Sequence, residues 1–139
     1  MIKTFTLGGV MAAVLAFAAG GAAAHHSFAA EFDGDKGITV TGIVTKIDWT
    51  NPHVWFYFNV KDDKTGEVTN WGAEMGPPHL LQRRGWRRET LKIGEEVVVS
   101  GARARNGSHR MNARNVTLTS TGGRPGETLD ALSSQRENP

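Results

Sequence analysis

Apolar and polar residues alternate most cleanly between His53 and Val60. Val54, Phe56, Phe58 and Val60 take one parity, and His53, Trp55, Tyr57 and Asn59 take the other. A period of two places the first set on the buried face of a strand and the second set on its opposite face. An earlier strand is predicted from Ile38 to Trp49. Its apolar positions change parity at Gly42, from Ile38 and Val40 to Ile43, Ile47 and Trp49, so a bulge is expected there. Asn51-Pro52 marks the turn between these two strands. Asp62 to Gly66 has the composition of a hairpin loop, and a third strand is expected from Glu67 to Met75. Gly76-Pro77-Pro78 ends that strand and opens a short helix that Gly85 stops, since proline is tolerated at the first helical position. Leu91-Lys92-Ile93-Gly94 reads as a tight turn into a fourth strand around Val97-Val98-Val99, which Gly101 bends. Asn106-Gly107 is a hairpin signal leading to a fifth strand from about Arg110 to Leu118.

Three strands, a short helix and two further strands predict an all-β domain, a small five-stranded OB-like Greek-key barrel. Glycines inside the first and fourth strands suit the coiling that closure demands. An open antiparallel sandwich is the alternative. Before the domain, Lys3 precedes an apolar stretch from Leu7 to Ala19, and Ala22-Ala23-Ala24 follows it. This is the order of a secretory signal peptide cut after residue 24. The expected organisation is a signal peptide at 1–24, an N-terminal arm at 25–37, the barrel at 38–119 and a mobile tail at 120–139. Gly122-Gly123, Pro125 and Ser133-Ser134 break the apolar periodicity of that tail, which therefore buries too little surface to offset its ordering entropy. Export implies a periplasmic or secreted protein with no transmembrane anchor after cleavage.

Composition narrows the function classes. Of 139 residues, 22% are charged and 39% hydrophobic, ordinary values for a soluble domain. The net charge of +2, with a sequence pI near 9.2, is too small for a general nucleic-acid footprint. There is no cysteine, which excludes disulfides, thiolate metal sites, cysteine nucleophiles and lipidated cysteine anchors.

Four stretches stand out in order: His25-His26-Ser27-Phe28, Trp49-Thr50-Asn51-Pro52-His53-Val54, Trp71-Gly72-Ala73-Glu74-Met75-Gly76 and Arg84-Gly85-Trp86. With them the chain resembles a family of small exported bacterial proteins, a domain of unknown function, up to about Leu118. The resemblance implies export and a barrel-like fold. It implies no activity and no catalytic residues.

The candidate chemistry begins at His25. Cleavage before it would free an α-amine beside an imidazole, a chelate suited to Cu(II) in tetragonal geometry, with His26 or His53 completing the set. In this logic the chain resembles copper proteins in general that begin with histidine. The amine, with a pKa of roughly 7.7–8.0, must lose its proton to bind, so affinity should fall with acidity. Cleavage one residue earlier would abolish the chelate. Glu74, Met75 and His79 are further candidate ligands, whereas His109 reads as an exposed loop residue. A histidine beside Asn-Pro is also a common hydrogen-bonded turn residue, and His53 carries that structural alternative.

Arg83, Arg84, Arg87 and Arg88 surround Trp86. They could hold phosphate, an acidic glycan or an anionic lipid surface. The blander expectation is that Trp86 plugs the barrel while the arginines pair with Glu74, Glu89, Glu95 or Glu96. Trp55 and Tyr57 form a candidate stacking surface for sugars or bases, unless Phe28 and Phe32 of the arm cover them. Ser27, His26 and Asp33 lack the turn and oxyanion hole of a hydrolase. The resulting expectation is a non-enzymatic exported binding protein whose ligand is copper or another divalent metal. A carbohydrate- or anion-binding barrel, or a structural cell-envelope protein, is the alternative.

Overall fold

Val54, Phe56 and Phe58 are all fully buried, as their spacing requires. In the computed structural model, which describes residues 28–119 and 126–133, they line the inner face of a closed ring of strands. The elements are α1 (Phe28–Glu31), β1 (Phe32–Asp48), β2 (Trp55–Lys61), β3 (Val68–Glu74), α2 (Pro78–Arg83), β4 (Glu96–Ala104), β5 (Arg110–Leu118) and β6 (Glu127–Asp130). The expected signal peptide, His25 and His26 lie outside the described residues.

The sheet runs in the order β3-β2-β1-β4-β5-β6, and a parallel β3–β5 pairing closes five of its strands into a ring. The other pairings are antiparallel. This is the OB-like barrel that the sequence predicts. The long β1 makes the closure possible: its first part pairs with β4 from Phe32 to Ile43, and its end pairs with β2 from Ile43 to Asp48. Packed inside are Val44, Phe56, Phe58, Met75, Val97, Val99, Met111 and Val116, with Leu81 of α2 and Trp86 beyond it in the same core.

Three expectations need correction. β1 starts at Phe32 rather than Ile38, because Phe32 and Asp33 already pair with Ala104 and Arg103. Part of the arm is therefore barrel wall. The register of β1 against β2 shifts between Val44 and Lys46, not at Gly42, which pairs regularly with Val97. Gly42 is instead a point of close approach: a Cβ there would collide with the Asn59 carbonyl and lie 2.8 Å from the Phe58 ring. The Gly101 expectation fares better, since β4 shifts register against β5 between Ser100 and Gly101.

The third correction concerns the tail. Glu127 to Asp130 form β6 against Leu118 to Asn115 of β5, and Ala131 is fully buried. This strand is held by partners distant in sequence. The Thr117 and Thr128 hydroxyls lie 2.8 Å apart, and the Trp86 indole N–H donates to the Asp130 carbonyl at 2.8 Å.

Candidate functional site

The outward parity of β2 and β3 builds one continuous face. Trp55 stands opposite Glu74, and Tyr57 opposite Gly72, while Arg110 and Asn112 of β5 align with Gly72 and Glu74 from the other side. Two backbone bonds, Val54 N–H to Gly76 O and Met75 N–H to Val54 O, extend the β2–β3 pairing past the strand ends. They hold His53 beside Glu74.

The His53 imidazole engages the Glu74 carboxylate through Nδ1. Glu74 is only 7% exposed although it points away from the barrel interior. Burial pushes its carboxyl above the ordinary range, against the opposing pull of His53 and of a hydrogen bond with Asn112; the nearby Glu31 carboxylate adds to the upward push. Asn112 is itself fully buried, and its amide oxygen accepts the buried Ser133 hydroxyl at 2.5 Å. A polar line thus runs from imidazole to carboxylate to amide to hydroxyl. Anchoring of Nδ1 selects the ring orientation and leaves Nε2 as the nitrogen that can bind a ligand.

Trp55 and Tyr57 do share this face, with centroids 6.5 Å apart in a stacked arrangement. Their free surface is restricted. The Arg110 guanidinium lies 4.4 Å over the Trp55 ring, and Lys46 lies 5.3 Å over Tyr57. Phe28 and Trp55 pack against a small cluster of Phe32, Ala102 and Ala104. The short α1 therefore reaches this face. It is fastened there by Arg105, whose Nε donates to the Ala29 carbonyl at 2.7 Å, and by Arg110, 3.4 Å from the Glu31 carboxylate. Gly72 leaves room for the pair, since a Cβ there would lie 3.2 Å from the Tyr57 ring and 3.6 Å from that of Trp55.

The remaining expected residues separate from this cluster. Met75 is buried in the core, and His79 is exposed on α2. His109 is exposed but not idle, with its ring 5.2 Å from that of Trp71. Trp86 plugs the barrel as expected, whereas Arg83, Arg84, Arg87 and Arg88 are exposed and, among the described residues, form no ion pair with Glu74, Glu89, Glu95 or Glu96. Three of those acids have other work: Glu74 holds His53, Glu95 accepts the Lys92 backbone N–H and Glu96 accepts the Thr119 hydroxyl. Among the described residues no group of three or more His, Asp and Glu forms a metal-holding cluster. Likewise, none of the described helices is long and apolar enough to cross a membrane.

Fold and face together define a small all-β barrel of OB-like topology, with a histidine–carboxylate pair beside an aromatic strip. The chain belongs to a family of unknown function, DUF6152, which matches residues 12–113. That span includes the Trp49–Val54, Trp71–Gly76 and Arg84–Trp86 stretches. No curated protein matches the chain. Among solved structures it is similar to part of the ZRD-deleted mutant of TiaS in complex with agmatine, at 17% identity and a TM-score of 0.48. The likeness covers 74% of this chain and 28% of that one.

Proposed function

We infer that this is an exported binding protein that takes copper, or a related divalent metal, through the α-amine and imidazole of His25 after cleavage following Ala24. His26 or His53 completes the donor set. The observation that carries the reading is the His53–Glu74 pair. A carboxylate on one ring nitrogen fixes the tautomer and presents the other nitrogen to a metal, an arrangement characteristic of histidine ligands. A second observation supports it: Phe28 packs against the same Phe32, Ala102 and Ala104 cluster as Trp55, on the face that carries His53. His25 is three residue steps from Phe28, a reach of about 10 Å when extended.

Titration of the processed protein with Cu(II), followed by calorimetry and electron paramagnetic resonance, tests the reading. One equivalent should bind with nitrogen hyperfine structure. A glycine inserted before His25 should abolish that signal, and Glu74→Gln should weaken affinity by about 10–100-fold while leaving the amine intact. Binding that is absent, or indifferent to the inserted glycine, ends the proposal.

A further inference from the structure

The segment from Arg83 to Ile93 departs furthest from what a solvated loop requires. It carries five cations, Arg83, Arg84, Arg87, Arg88 and Lys92, against a single carboxylate, Glu89. All five cations are exposed, and among the described residues none of them forms an ion pair. The loop that presents them is held at both ends. Trp86 is 1% exposed and bonded to the Asp130 carbonyl, and Leu91 is also buried. Between these anchors the Thr90 N–H donates to the Arg87 carbonyl at 3.0 Å, while the Arg87 N–H donates to the Thr90 hydroxyl at 2.8 Å. Arg87 and Arg88 are therefore displayed from a pinned backbone, which lowers the ordering cost of binding a surface.

Beside them is Ile93, 72% exposed and the most exposed of the large hydrophobic residues described. It occupies the turn between Lys92 and Gly94, where a positive φ of 88° at Gly94 reverses the chain. An isoleucine held out among cations suits a boundary where charged headgroups overlie hydrocarbon. We propose that residues 83–93 dock the protein on an anionic lipid bilayer. The guanidinium groups and Lys92 engage headgroup phosphates, and Ile93 enters the interface below them.

Other anionic partners fit less well. Single-stranded nucleic acid is gripped by stacking on exposed aromatic rings, and the one aromatic ring of this segment, Trp86, is buried. A small soluble anion calls for donors converging in an enclosed pocket, and here every cation is on the surface. Arg87 and Lys92 do line one hollow, but Glu89 and Glu127 line it too.

Co-sedimentation of the protein with vesicles tests the proposal. Vesicles of equal parts phosphatidylglycerol and phosphatidylcholine should bind it, pure phosphatidylcholine should not, and added salt should release it. Each cation removed should weaken binding by about fivefold, so the double reversal Arg87→Glu/Arg88→Glu should abolish sedimentation with an unchanged thermal unfolding curve. Ile93→Ser should lower affinity severalfold while leaving the salt dependence intact. Equal binding to both vesicle types, anionic binding insensitive to these substitutions, or tighter binding to single-stranded DNA than to the anionic vesicles would each overturn it.

Discussion

Trp86 and Trp55 are both tryptophans with arginine for company, yet the barrel uses them in opposite ways. Trp86 follows Gly85, whose φ of 92° turns the chain so that the indole enters the core while the flanking arginines stay in solvent. Trp55 follows Val54 on a strand whose alternate positions are already committed inward, so its ring is forced onto the outer face. There it is covered piecemeal by Arg110 and by the Phe32 cluster. In one region the tryptophan is structural and the charges are unengaged. In the other, the cations lie over the rings, and His53 pairs with Glu74 beside them. Local composition alone does not separate the two cases; strand parity and one left-handed glycine do.

The sharpest way to break this contrast is truncation. Trp86→Ala removes a filled core position together with the hydrogen bond that fastens β6, and should cost about 3–5 kcal/mol in chemical denaturation. Trp55→Ala loses partial packing and a cation–π contact, and should cost about 1 kcal/mol. Similar losses at both sites would mean that Trp55 is as structural as Trp86. Between these extremes falls Asn112→Ala. It removes the buried bond from the Ser133 hydroxyl and a donor to Glu74, so about 1–3 kcal/mol should be lost. If Asn112→Ala is neutral, the polar line behind His53 has no structural value.

What is legible in the sequence follows the same division. The five ring strands were legible because Val54, Phe56 and Phe58 alternate, and because Gly66, Gly94 and Gly107 mark turns in which each takes a positive φ. The sixth strand was not. Glu127-Thr128-Leu129-Asp130 has no apolar period, and its support comes from β5 and from Trp86, remote in sequence. At the candidate site, Glu74 could be placed near His53 from the ends of the two strands. Asn112 and Ser133 are not legible in the sequence, because a buried polar residue leaves no local signature. Asn112 sits at an outward position between Met111 and Ala113, where strand parity alone assigns it to solvent. Charge counting alone pairs Arg83 to Arg88 with nearby glutamates, and the backbone and hydroxyl bonds of Glu95 and Glu96 defeat that pairing.

The smallest expected effect lies in the loop that joins Trp55's strand to the next, and it bears on whether pH sensitivity belongs to the His53 face alone. Asp62 accepts the backbone N–H groups of Lys64 and Thr65, each at 2.8 Å. These bonds hold its carboxyl below the ordinary range. A carboxylate whose folded pKa is depressed contributes stability above its unfolded pKa and loses that contribution as pH falls through the folded value. Asp62→Ala should therefore lower Tm slightly at neutral pH, and the gap to the wild-type protein should close on acidification below the ordinary carboxylate range. Because the loop is exposed, the gap should be small beside that of Asn112→Ala. Thermal melts of both proteins across the acidic range measure it. A gap that persists undiminished in strong acid would assign the loss to the Asp62 side chain's packing rather than to its charge.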